Sequence, residues 1–120
     1  MTWSESAGRL GKEPAQRPLA RFADSHLFIT PTIAGEFACG FGLAERTVWA
    51  RFLAPFGVLQ IDNDVAWHFG TIYRHLQQNG MLIGANDVWT AAAAQAYGCP
   101  VVSRDTDHYR RVPDLDIVGY

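Results

Sequence analysis

The sequence predicts an α/β domain built on a parallel sheet. Three observations carry that reading. Strand-sized apolar runs alternate with longer stretches of helical spacing from residue 26 onward. The late connections are short, the Gly98-Cys99-Pro100 link among them, as in packed αβ units. Hydrophobic residues make up 48% of the 120, enough to fill a core between layers. The length fits a single domain, residues 1–120.

Taken in order, residues 4–25 are polar and arginine-bearing. Pro14 and Pro18 interrupt them, and part of the stretch is expected to be helical. HLFIT, 26–30, is the first strand. Thr30 followed by Pro31 reads as an N-cap and first helical position, and the helix through IAGEFACGF should close at Gly40 or Gly42. LAERTVWARFLAPFG places Leu43, Val48, Phe52 and Leu53 near helical spacing, with Pro55 and Gly57 as the stop. VLQI, 58–61, is the second strand. Asp62, Asn63 and Asp64 are cap-type residues, and Val65, Phe69, Ile72 and Leu76 then follow a helical stripe as far as Gly80. MLIG is a connector, residues 87–97 form a helix, and Gly98 stops it. Ala91 to Ala94 give that helix a methyl-sized surface on every side, suited to close packing. PVVS is a strand, and DIVGY closes the chain as another.

Composition narrows the function. Charged residues are only 18%, so the chain does not read as disordered. The net charge of −2 argues against binding nucleic acid by bulk charge, so any such role must rest on a local site. Cys39 and Cys99 lie far apart with no zinc-ligand spacing, and read as buried free thiols. No apolar run spans a membrane, and MTWSESAGRLGKEP has no apolar leader core; a soluble, cytoplasmic protein is expected.

Ligands of open parallel sheets bind beyond the carboxyl ends of the strands. That rule selects Asp105 and Asp107 after VVS, Asp87 at the opening of a helix, and Glu36 early in the helix after LFIT. Each has an ordinary alternative. Asp87 reads as a helix cap, the alternative its local sequence favours. Glu36 reads as a solvated face, and Asp105 and Asp107 as turn residues. His68 and His75, at i,i+7, are too far apart for the usual ligand pair and read as surface or packing residues, while His108 is placed to pair with Asp107. There is no P-loop, GxGxxG or nucleophile elbow.

IGANDVWTAAAAQAYGCPVVSRDTDHYRRVPDLDIV resembles the C-terminal half of PIN domains, specifically the VapC-like ribonuclease toxins of bacterial toxin–antitoxin pairs. The matching features are Asp87, the small stripe Ala91 to Ala94, Gly98, Val101-Val102, Ser103-Arg104-Asp105 and Tyr109. LFITPTIAGEFACG resembles the second motif, with Glu36 at its acidic position. The resemblance covers roughly residues 20–120. It implies a three-layer α/β/α sandwich and a metal-dependent endoribonuclease. It also implies Mg²⁺ or Mn²⁺ held by Glu36, Asp87 and Asp105 as catalytic carboxylates, with Asp107 as a further metal-site member. Ser103 and Arg104 become substrate-side neighbours. RNA, a cognate antitoxin and a second copy of the chain become the partners. The chemistry is coherent, because hard cations take oxygen ligands and can activate water while offsetting phosphate charge.

One departure stands out. The family pattern opens on an apolar strand ending in an aspartate, whereas TWSESAGRL resembles the stretch just after that aspartate; Glu5 and Glu13 are the nearest acids. The expectation is a sheet whose N-terminal central strand is missing, through a late start, with weak metal binding as a result. The rival readings are a catalytically impaired PIN-fold module that binds RNA or an antitoxin, and an unrelated α/β domain whose acids are caps and turns.

Overall fold

The computed structural model describes residues 2–4 and 26–120. The partial helix expected beyond Ser4, with Pro14, Pro18, Glu5 and Glu13, lies outside the described residues. The elements in chain order are β1 (Thr2–Ser4), β2 (His26–Ile29), α1 (Pro31–Ala38), a short 3-10 turn (Phe41–Leu43), α2 (Arg46–Leu53), β3 (Gly57–Val58), α3 (Asn63–Gln78), α4 (Ala85–Tyr97), β4 (Val101–Ser103), α5 (Thr106–Arg110) and β5 (Ile117–Gly119).

The five strands form one sheet in the order β3-β2-β1-β4-β5. β2 pairs parallel with β3, and β4 parallel with β5. β1 runs antiparallel to both of its neighbours, β2 and β4. The expected gap is therefore filled, and the all-parallel expectation holds only within the two outer pairs. Thr2 lies opposite both Phe28 and Val101, so its backbone occupies the slot that would otherwise leave two unpaired internal edges. A three-residue segment with alternating backbone groups suffices for that pairing, which no apolar run announces.

Several helix boundaries follow from local chemistry. Thr30 is the N-cap of α1, with its hydroxyl accepting the Ile33 N–H at 3.3 Å, and Pro31 takes the first helical position. The helix stops at Ala38, before Gly40. Asp62 caps α3 by accepting the Val65 N–H at 3.0 Å. Gly98 ends α4 in the left-handed region at φ 71°, where a side chain is disfavoured. β3 is shorter than expected and stops at Val58. A side chain at Gly57 would meet the edge of the Phe28 ring, which would have to shift to admit it.

The main core lies between the sheet and the α3–α4 hairpin. It joins Val65, Ile72 and Leu76 of α3 to Val88 and Ala91 to Ala94 of α4, and reaches Val101, Tyr109 and Val112. All four alanines are fully buried, which lets α4 be enclosed on every side. Phe69 and Trp89 stack across the hairpin with ring centroids 4.0 Å apart. Val102, the next residue along β4, faces the other way and packs with Leu27 and Val118. Apolar side chains on both faces are what a three-layer α/β/α arrangement requires. Neither cysteine is buried as expected: Cys39 is exposed at the end of α1 and Cys99 is half-buried after Gly98. Among the described residues no helix is long and apolar enough to cross a membrane.

Candidate metal centre

The site is assembled by α1, the first turn of α4 and the short helix α5. Asp87 stands in the first turn of α4, but it does not cap the helix; Gly84 is the N-cap and makes no side-chain bond. The cap reading favoured by the local sequence is thereby overturned. Asp87 instead points sideways to α5. Its Oδ1 accepts the Tyr109 hydroxyl at 3.2 Å, and its Oδ2 lies 3.3 Å from Nδ1 of His108.

Asp105 reaches the same imidazole. Its Oδ2 lies 3.5 Å from His108 Nδ1. Its Oδ1 accepts the backbone N–H of Asp107 at 3.3 Å, which makes Asp105 the N-cap of α5. The two aspartates thus divide their oxygens alike. In each, Oδ1 is held by a neutral donor of the fold and Oδ2 turns to one shared nitrogen. Both carboxylates remain open to solvent, with Asp87 at 37% and Asp105 at 63% side-chain exposure.

Glu36, exposed on α1, reaches across to α4, where the Asn86 side-chain amide donates to its Oε1. Asn86 precedes Asp87, so Glu36 reaches the same first turn of α4 that carries Asp87. Ser103 ends β4 and turns its hydroxyl inward on the backbone: it accepts the Asp105 N–H and donates to the Asp105 carbonyl, both at 3.1 Å. It therefore shapes the turn that presents Asp105. Arg104 is exposed, with its guanidinium 5.4 Å from the centre of the Tyr120 ring.

Asp107 is not drawn into this cluster. It is 84% exposed, and its closest ionic partner is Arg110 at 3.7 Å. His108 accordingly pairs with Asp87 and Asp105, not with Asp107 as its neighbour in sequence implied. His108, Tyr109 and Asn86 are the contributors that sequence reasoning missed as site residues. The i,i+3 spacing of Asp105 and His108 on a short helix was the available signal for the first; nothing local marked Asn86. Burial, together with the nearby Asp87 charge and hydrogen bond, pushes the Tyr109 phenol well above the usual tyrosine range, so it stays a donor.

Among the described residues no group of three His, Cys, Asp or Glu side chains is set to hold an ion, and the His108 imidazole nitrogen lies beside both Oδ2 atoms. The donor chemistry nonetheless fits a hard divalent cation. Mg²⁺ is commonly held by one or two carboxylates, with water and substrate phosphate completing its shell.

The sequence profile described as the PIN domain matches residues 8–115. This chain belongs to the PIN domain family. Curated relatives agree. Ribonuclease VapC2 of Haemophilus influenzae is 38% identical over 61 residues, 51% of this chain and 46% of that protein. Ribonuclease VapC5 of Mycobacterium tuberculosis is 31% identical over 64 residues, 53% of this chain and 47% of the relative. The chain spans about half the length of these curated relatives. A solved structure of VapBC2 from Rickettsia felis, bound to a DNA fragment from their promoter, shares the fold of this PIN domain. Its TM-score is 0.74 at 19% identity, covering 86% of this chain and 82% of that one.

A second concavity lies at the opposite end of α4. It is a cavity of about 460 Å³ whose walls include His68, His75, Ala94, Cys99 and Asp116. The Nδ1–H of His68 donates to the Asp64 carbonyl, 2.8 Å away, as expected of a helix-surface histidine.

Proposed function

We propose that this PIN domain is a metal-dependent endoribonuclease and the toxin of a toxin–antitoxin pair. The observation that carries the reading is the convergence of Asp87 and Asp105 on one nitrogen at a solvent-open rim, with Glu36 tied through Asn86 to the turn that carries Asp87. Relatives named as VapC ribonucleases support RNA as the substrate class. The Rickettsia felis VapBC pair supports an antitoxin partner.

Asp87 and Asp105 would hold Mg²⁺ or Mn²⁺ through their Oδ2 atoms, with Glu36 contributing from α1. Bound there, the ion supplies positive charge against the phosphodiester and lowers the proton affinity of water. The chain's own residues do the rest. Tyr109 and the Asp107 N–H hold the opposite carboxylate oxygens, so each Oδ2 stays turned to the rim, where the His108 imidazole would give way to the ion. The Ser103 hydroxyl fixes the turn that carries Asp105. Arg104 is exposed just beyond β4, where its guanidinium can meet a backbone phosphate. Asp107, paired outward with Arg110, stays a solvated residue in this reading.

The same proposal includes a cognate antitoxin and a second copy of the chain as protein partners. Large apolar side chains left exposed, Trp67 at 70% and Phe52 at 42%, are in keeping with protein contacts. Light scattering over a range of concentrations checks the dimer.

The deciding experiment is cleavage of RNA with Mg²⁺ or Mn²⁺ by the wild type and by Asp87→Asn. Asn keeps the size of the side chain and can still accept from Tyr109, so the fold should survive while cleavage falls steeply. Equal cleavage by the variant would return Asp87 to a structural role. A wild type that binds RNA without cutting it would favour the impaired-module reading.

A further inference from the structure

The phenol of Tyr109 has a job that its place in the core does not require. The residue is 6% exposed and belongs to the main core with Val88 and Val112. A phenylalanine would serve that packing equally. The hydroxyl is the part that leaves the core, and it donates to Asp87 Oδ1 at 3.2 Å. The other oxygen of the same carboxylate, Oδ2, faces His108 at 3.3 Å. An aspartate carboxylate is a broad, nearly two-fold rotor about its last torsion. A donor fixed on one oxygen removes that freedom and decides which oxygen turns outward.

We propose that Tyr109 is a positioning residue for cation binding: its hydroxyl clamps Oδ1 of Asp87 and thereby presents Oδ2 to a divalent metal. The inference rests on the metal-centre reading above and adds to it a residue outside the carboxylate set. Asp105 provides the internal comparison. Its Oδ1 is clamped by the Asp107 N–H, and its Oδ2 faces the same imidazole, 3.5 Å away. One short helix, α5, therefore supplies both clamps, one from its backbone and one from a buried side chain. Partners that orient ligating carboxylates are commonly worth about 10–100-fold in metal affinity.

Calorimetric titration of the whole chain with Mn²⁺ tests this without any turnover. Four proteins are compared: wild type, Tyr109→Phe, Asp87→Asn and Ile72→Val. Ile72 is buried beside the distal cavity, so its variant loses stability without touching the rim. Tyr109→Phe should weaken Mn²⁺ binding by about 10-fold, and Ile72→Val should bind as the wild type does. Tyr109→Phe binding within about twofold of wild type would overturn the clamp while leaving the metal centre standing. So would an Ile72→Val loss as large as that of Tyr109→Phe, because affinity would then merely track stability. A wild type that takes up no Mn²⁺, or an Asp87→Asn that binds it equally well, would overturn the metal centre and the clamp together.

Discussion

Ala92→Leu is a sharp test of how α4 is held. Ala92 is fully buried, as are Ala91, Ala93 and Ala94, so solvent reaches none of the four methyl groups. Leucine adds three carbon atoms. With room for them, burial would stabilise by about 0.8 kcal/mol each, or roughly 2.4 kcal/mol in all. Without room, the chain must shift, and overpacking costs about 1–3 kcal/mol. The fully enclosed surroundings of Ala92 select the second case. The expected loss of about 2 kcal/mol is a fall in melting temperature of roughly 6–10 °C for a domain of this size. Ala94→Leu supplies the contrast, because Ala94 borders the cavity of about 460 Å³. It should cost clearly less than Ala92→Leu. Urea unfolding followed by circular dichroism measures both, with superposed far- and near-ultraviolet transitions as the check on two-state behaviour. Equal costs at the two positions, or an Ala92→Leu change within about 0.5 kcal/mol of zero, would refute the claim that the helix is sealed on that side.

Other outcomes rest on single residues. Gly98→Ala should lower stability by about 1–2 kcal/mol in urea unfolding, purely through backbone strain at φ 71°, since nothing lies within 4 Å of the added Cβ. Asp107→Asn should change stability by no more than about 0.5 kcal/mol, because its pairing with Arg110 is exposed, and Mn²⁺ affinity should not move. The raised phenol of Tyr109 predicts an alkaline limit. Its folded pKa exceeds the unfolded value of 10.0, so the stability it contributes is complete below that pH and is lost as pH rises past it. Unfolding curves collected across that range should fall less steeply for Tyr109→Phe than for the wild type.

The regular elements were legible because their punctuation is local. Thr30-Pro31, Asp62 and Gly98 each act on the backbone within a turn, and each stands where the sequence places it. The acidic rim was legible through motif resemblance and through the rule that sites lie beyond strand ends. What failed was anything decided by contacts distant in sequence. β1 was hidden because its pairing depends on Phe28 and Val101, not on its own three residues. Asp87 looked like a cap because caps are judged from neighbours, whereas its partners, His108 and Tyr109, arrive from another helix. The helix α5 was not anticipated, for a related reason: five residues carry too little periodicity to stand out, and its cap, Asp105, reads equally as a turn residue.

The placement of β1 also has a consequence for the order in which the domain can be completed during synthesis. Thr2 must meet Val101, and Asp105 comes only after β4. At translation rates of about 5–20 residues per second, the roughly one hundred residues between them take about 5–20 s to make. Through that interval β1 has β2 on one side and no mate on the other. Both aspartates of the acidic rim are themselves encoded late, and α5, which orients them, comes later still. A nascent chain therefore cannot display the joined rim until α5 has been made, so the nuclease chemistry proposed for it would stay off while β4 and α5 are still being built beside the RNA that encodes them.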